Sequence, residues 1–429
     1  MEIENFVKEI RKICDEFTIN IEDGVIDEVR FSQNSIDLNN SWSSPSYNIF
    51  VARGKKTAEL SFDSLEPGES QLKILHDMLE IAPENPDFYG INPVKYNYHG
   101  NQNYHNVDLY DIAGELIQGS LDGGSEKAAG LAYLDHTRNR IITPWNDQEY
   151  YNSGLEIVVR AFRGSNSGQE ALHFGEGSME SANPYNTGMA AAKTASMSDK
   201  TVSINEGRYD VVFSPYTIGT VLSYNVGFLS YYSINAGLSP FIGKIGKQIA
   251  SENVTIYDDP LNGSGVGYRP VDEEGTATGK LNLIENGLLK TYMHSYSTGK
   301  QSGNQSTGNA GIMDPAPWQL HMSPGNSTPE DMIGSIKSGL FINNAWYTRF
   351  QDESNGIFST VPRDGVFLIK DGEIAGNVSG IRISDSILNI LENVVEVSRE
   401  EKYVKWWDEI APSIMPYAMV KNVNITKGF

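Results

Sequence analysis

The chain has 429 residues, 39% of them apolar, with 22 Tyr, 16 Phe and 6 Trp, a composition that supports cored domains and excludes wholesale disorder. Its 55 acidic and 33 basic side chains leave a formal charge of −22, which repels phosphate backbones and anionic lipid and argues against nucleic acid or a membrane surface as partner. Cys14 is the only cysteine, so neither an intramolecular disulfide nor a cysteine zinc cluster can form.

The first residues, MEIENFVKEIRKICDEF, are charged throughout and have no apolar signal core, and no run reaches the length a membrane span needs. The cytoplasm is therefore the expected location, and sequons such as those at Asn253 and Asn377 are read as accidents of composition. Over residues 3–17, Ile3, Phe6, Val7, Ile10, Ile13, Cys14 and Phe17 recur at helical spacing and predict one amphipathic helix. On it Cys14 is a buried small residue. Alternation then predicts strands at 18–31, 34–42, 46–53 and 56–63, joined by turns at Asp23-Gly24, Gln33-Asn34 and Arg53-Gly54.

Glu66-Pro67-Gly68 opens a second helix through Leu72, Leu75, Leu79 and Ile81, ended before Pro83. Residues 83–106 read as a long surface loop. A helix near 107–129, strands at 130–143 and 154–164, and a helix at 184–199 follow, and a break at Ser203 to Gly207 places a domain boundary near residue 202. Tyr209 to Phe213 predicts a strand leading into a helix, with Ser214 as N-cap and Pro215 in the first turn. Beyond it the pattern predicts short strands with turns at Asn262-Gly263, Asn286-Gly287 and Asp371-Gly372, and helices near 329–339 and 384–391. The expected fold is α+β: an α/β N-terminal domain over 1–202, helices packed on a strand meander, and a β-rich barrel- or sandwich-like C-terminal domain over 203–429.

Chemistry is sparse. No two of the seven histidines have the helical spacing that presents paired imidazoles to zinc, and the closest pair, His99 and His105, has no third ligand motif nearby. Asp272-Glu273-Glu274 and Asp258-Asp259 lack calcium-loop spacing and are expected to be solvated acidic turns. Gly-x-Ser-x-Gly is absent, since Asn304 stands where the first Gly of such an elbow around Ser306 would be. The run Gly275 to Leu281 is one residue short of a phosphate loop and ends on Leu, and Gly263, Gly265 and Gly267 precede no predicted helix.

Several segments, in order, resemble the TldD/PmbA family. They are the strand-Ser-Pro-helix at 211–222, FIGKIGKQIASENVTIYDDP, RPVDEEGTATGKLNLIENGLLKTYMHSYSTGK, QSTGNAG, SPGNSTPEDMIGSIKSGLFI and the ending NGIFSTVPRDGVFLIKDGEIAGNVSGIRISDSILNIL. The catalytic TldD type carries His-Glu-x-x-x-His on the helix that starts here at Ser214, and the matching positions are Ser214, Pro215 and Gly219. A late cysteine of that type is also missing, and Asn355 stands where the family commonly has Thr before Gly. The resemblance therefore implies a PmbA (TldE)-like subunit without catalytic residues or metal ligands of its own. It implies a TldD-like catalytic partner that carries zinc, and a chamber for unfolded or small extended peptides, walled by exposed sheet. A homodimeric peptide- or ligand-binding protein without protease activity is the alternative. His294, Tyr296, Ser306, Thr307 and Asn309, small or hydrogen-bonding residues, are expected to line the chamber and bind substrate, against the plainer reading of a tight turn held at Gly308.

Overall fold

The computed structural model describes residues 1–43, 45–100, 107–311, 314–406 and 409–428. Helix α1 (Ile3–Ile10) buries Phe6 and Ile10 and stops seven residues before the predicted end, because Glu16 already enters strand β1 (Glu16–Ser32). The helical spacing ran on because Cys14, in the connecting turn, and Phe17, on the strand, reach the same core cluster as Phe6 and Ile10. Cys14 Sγ donates to Ile10 O at 3.2 Å, and burial pushes its thiol up to about 12, so it packs as an apolar group.

Strand β1 pairs with β2 (Ser35–Ser43), β3 (Ser46–Arg53) and β5 (Lys127–Ile142), and β3 pairs with β4 (Lys56–Phe62). Gln33 and Asn34, both at positive φ, make the predicted tight turn between β1 and β2. One face of this sheet carries Phe17, Ile19, Ile49, Val51 and Ala58, which pack with α1 and with α2 (Gly68–Ile81) into a single core. The opposite face is polar and looks toward the second half of the chain.

Helix α3 (Leu109–Asp122), the hairpin of β5 and β6 (Asp147–Arg163), β7 (Asn166–Gly175) and α4 (Pro184–Ala195) complete the first half. Strand β7 escaped the sequence reading because α4 lies against it and the second half closes over it, so nearly every position is buried and no alternation shows. Helices α3 and α4 touch backbone to backbone: a Cβ on Gly188 would stand 2.3 Å from Leu116 O.

In the second half β8 (Gly207–Phe213) leads through Ser214 into α5 (Pro215–Asn225), as the cap pattern predicts. Strand β8 runs parallel to Ser338–Asp352 and antiparallel to Ser413–Lys427. Ile357–Lys370 and Ile381–Ser386 join these in a closed ring of five strands around the largest apolar core, which includes Phe213, Leu340, Phe358, Ile383 and Val420. The fold is thus α+β and strand-rich, with 18 strands among the described residues in one mixed, partly ringed sheet.

The expected short strands are corrected: four run 11 to 15 residues, and register shifts within their pairings break the alternation that would have revealed them. The predicted helices at 329–339 and 384–391 shrink to Pro329–Ser335 and Ile387–Glu392, their remaining residues belonging mostly to adjoining strands. Two short helices, Tyr231–Asn235 and Tyr296–Ser302, were not predicted. No helix among the described residues is long and apolar enough to cross a membrane.

The halves are joined by buried charge. Lys402 Nζ lies 2.6 Å from Glu170 Oε2, which also accepts the Tyr216 hydroxyl at 2.5 Å, and the Glu170 side chain is 5% exposed. Removing one member of a buried pair leaves the other desolvated and uncompensated. Lys402→Met is therefore expected to lower unfolding stability by about 3–5 kcal/mol in urea titration. Adding Glu170→Gln should restore most of the loss, and a Lys402→Met protein as stable as the parent would contradict this account.

Candidate functional site

The acidic turn is the first correction. Asp272 is not solvated but fully buried, and its Oδ1 accepts the N–H groups of Glu274 at 3.0 Å and Thr276 at 2.8 Å. Its Oδ2 accepts Ala310 N–H at 3.1 Å, which ties the turn to the following polar loop. Burial raises its carboxyl to about 7 against the pull of these donors. Glu274 is also pushed well above the usual carboxylate range, by burial and then by Asp272, while its Oε2 accepts Tyr296 N–H at 3.0 Å. The turn docks on the first half of the chain through Gln148 Nε2, which donates to Gly275 O at 2.6 Å, and Asn92 Nδ2, which donates to Thr276 Oγ1 at 3.0 Å.

Asp258, the second acid expected to be solvated, is buried too. Its Oδ1 accepts the N–H groups of Trp318 at 3.0 Å and Gln319 at 2.7 Å, and its Oδ2 accepts Asn309 Nδ2 at 2.7 Å. Burial lifts it to about 7. A buried acid that organises backbone N–H groups has the same one-letter appearance as a solvated one, which is why both turns were misread.

Four of the five predicted site residues meet in this network. Thr307 Oγ1 accepts His294 N–H at 2.9 Å and donates to Asn309 Oδ1 at 2.8 Å, and Thr307 N–H donates to His294 O at 3.0 Å. Ser306 Oγ donates to His294 O at 3.3 Å, and Gly308, at φ +77°, turns the chain where a Cβ would stand 2.7 Å from Ala277 O. His294 and Asn309 are buried, and the His294 ring lies 4.9 Å from that of Tyr231. Burial lowers His294 to about 4, so it is neutral at physiological pH. Tyr296 stands apart from this knot, opening the helix Tyr296–Ser302 against Glu274.

Beside the knot lies a cleft of about 310 Å³ between the polar face of the first sheet and the acidic turn. Thr18 and Phe50 line it from the sheet, Glu273 and Glu274 from the turn, and Ser295 and Thr298 from the cap of the helix Tyr296–Ser302. The chain neighbours of His294 thus reach the cleft while its own ring faces inward. The residues missed by sequence reasoning are Thr18 and Glu274. Thr18 was hidden because alternation marks the buried apolar face of a strand and takes the other face to be solvated.

Helix α5 begins with groups that leave no room for a metal. Ser214 Oγ donates to Asn343 O and caps the helix by accepting Tyr216 N–H at 3.2 Å, so its hydroxyl is spent. Pro215 offers no ligand atom, and a Cβ on Gly219 would stand 2.6 Å from Glu409 Oε1 and 2.9 Å from Ser413 Oγ. An imidazole there would have to displace both. These residues do not fit a zinc site, and among the described residues no three His, Cys, Asp or Glu side chains are grouped to hold an ion. Of the HGNQNYH pair, His105 lies outside the described residues.

Residues 206–427 match the PmbA/TldA metallopeptidase C-terminal domain. A metalloprotease of Methanothermobacter thermautotrophicus is 32% identical over 194 residues, which span 44% of this chain and 42% of that protein. A TldD metalloprotease homologue of Buchnera aphidicola is 31% identical over 206 residues, 46% of this chain and 42% of its own length. The chain thus matches less than half the length of these curated relatives. The crystal structure of TldE from Thermococcus kodakarensis superposes with a TM-score of 0.80 at 21% identity, covering 99% of each chain, a likeness of fold.

The buried acids generate a pH test. Asp258 sits near pH 7 when folded and about 3.9 when unfolded, so the folded state holds more protons between these values. Its contribution is fully present below about pH 4 and is lost as pH rises to about 7. Buried neutral His294 has the opposite sign, so the parent profile is composite. The stability lost in Asp258→Asn is therefore expected to be largest at and below about pH 4, to shrink toward about pH 7 and to be flat above. Urea unfolding across this range checks it, and a loss that grows with pH would contradict the assignment.

Proposed function

This chain belongs to the TldD/PmbA metallopeptidase family, and from that premise we propose that it is a TldE-like, non-catalytic subunit of a two-chain zinc metallopeptidase acting on unfolded or small peptides. The observation that carries the reading is helix α5, where the places that match the catalytic type's motif hold a spent cap hydroxyl, a proline and a glycine crowded by Glu409 and Ser413. Zinc and the water it activates belong, in this proposal, to a TldD-like partner in the same cytoplasmic compartment.

The chain's own part is to close the chamber, exclude bulky substrates and present polar walls to an extended backbone. Buried Asp272 and Asp258 hold that wall in shape. His294, Ser306, Thr307 and Asn309 enter the proposal as the frame behind the cleft, and Tyr296 as the start of the helix beside it, with Ser295 and Thr298 facing the cleft. Strand β2 is the surface we assign to the partner seam or to peptide. It pairs with β1 alone among the described residues, is exposed along nearly all its length, and leaves an edge of unpaired N–H and C=O groups. Ile36 and Leu38 stand exposed on it. The same edge is what a second copy would use, and that keeps the homodimeric peptide-binding reading as the alternative.

Co-expression with a TldD-type chain is expected to give a co-purifying pair that cleaves an unstructured peptide and is inhibited by chelator, while this chain alone is inert. In the pair, Thr307→Ala should leave assembly intact and slow peptide turnover by about two- to tenfold, since it loosens the frame and not the chemistry. Metal-dependent proteolysis by this chain alone would overturn the proposal, and a stable peptide-binding homodimer indifferent to the partner would favour the alternative.

A further inference from the structure

The cleft between the first sheet and the acidic turn has a chemistry of its own. Thr18, Phe50 and Glu59 share one rung across β1, β3 and β4, so their side chains leave the sheet on the same face. Burial and then Glu273 raise the Glu59 carboxyl, so the two acids feel each other across the gap between sheet and turn. Glu16, two residues before Thr18 on β1 and accepting Ile91 N–H at 2.6 Å, adds to the burial and Asp272 effects that hold Glu274 high.

Asp87, Glu273 and Glu274 line the cleft, Glu59 stands on the rung of Thr18 and Phe50, and among the described residues no Lys, Arg or His lines it. Two cations stand beside it: Arg269, engaged at 3.4 Å by Glu273 and lying over the Trp318 ring, and Lys55, whose Nζ donates to Pro86 O and Phe88 O. The second observation is independent of charge. Thr18 is 3% exposed and lines the cleft, yet among the described residues its Oγ1 has no hydrogen-bond partner, and neither has the buried Oε2 of Glu59. Buried polar atoms left in this way are desolvated without compensation, so a donor that reaches them is favoured.

We propose that this cleft binds a primary ammonium group carried on a short alkyl or peptide stem. An ammonium supplies three donors and no acceptor, which matches a set made of hydroxyl and carboxylate oxygens. The volume admits about ten water-sized groups, enough for a stem of five or six heavy atoms. The paired rings of Phe50 and Phe88, 5.6 Å apart, give the stem an apolar wall and the charge an aromatic face. A metal ion is disfavoured, because no three ligating side chains are grouped among the described residues. The inference stands whether or not a catalytic partner exists, since this chain alone is tested.

The ammonium can come from a peptide N-terminus or from a lysine side chain, and the experiment separates them. Titration of the purified chain with n-pentylamine, followed by calorimetry or by amide chemical shifts, is expected to show saturable binding at least tenfold tighter than that of pentan-1-ol. Thr18→Val and Glu59→Gln should each weaken it about tenfold while thermal unfolding stays that of the parent; neither residue is needed for the frame of Thr307 and Asn309. A trialanine amide that binds and loses binding on N-acetylation identifies the N-terminus. An N-acetyl-lysine amide that binds identifies the side chain. Equal affinity for amine and alcohol, no binding of any ammonium probe, or full binding by both folded variants would each overturn the proposal.

Discussion

A carboxylate withdrawn from water holds this site together. Asp272 gathers three backbone N–H groups, two from its own turn and one from Ala310, so that one desolvated side chain fixes both the turn and the loop 38 residues later. Such an acid is held by hydrogen bonds that oppose its desolvation, and the balance leaves it near neutrality instead of near the ordinary carboxylate range. Asp258 repeats the device one layer away, reaching Thr307 through Asn309. Between them the two acids make the polar loop a rigid frame. The wall of the cleft is then the exposed side of a structure whose strength lies behind it.

The division of labour between the faces of the first sheet follows the same logic. Its apolar face is sealed by α1 and α2, and its polar face turns toward the acidic turn. A polar sheet face is ordinary when water covers it, but here a second part of the chain stands opposite and buries it. Thr18 and Asn20 are consequently at 3% and 5% exposure, with side-chain atoms that no group among the described residues satisfies. Proteins seldom leave such atoms without a purpose. Charge repeats the theme, because an excess of 22 negative charges over the chain also appears inside, at carboxyls held close to protonation.

Much of the fold was legible where local rules decide. The first four strands, α2, and the Ser214-Pro215 start of α5 lie within a residue or two of their predicted positions, because turns with positive φ, cap hydroxyls and amphipathic spacing are encoded in adjacent residues. Strand β7 and the lengths of the late strands were not, since burial on both faces and register shifts erase periodicity. At the site, the Thr307–Asn309 segment could be singled out from its residue types, and its hydrogen bonds to His294 and Asp258 could not. Acidity read as solvation was the main error. Whether Asp272 meets water depends on Gln148 and Asn92, more than a hundred residues away in the chain.

The ring of five strands has a consequence for biosynthesis. Strand β8 lies between Ser338–Asp352 and Ser413–Lys427, so both its hydrogen-bonding edges wait for segments made long after it. At about 5–20 residues per second, the interval from Phe213 to Ser413 lasts on the order of 10–40 s. One edge stays open until Ser338–Asp352 is made and the other until Ser413–Lys427 follows, and an open edge can pair with whatever strand it meets. Efficient production of this chain thus depends on shielding that nascent segment until its own neighbours emerge, and translation speed through residues 214–412 becomes a determinant of yield.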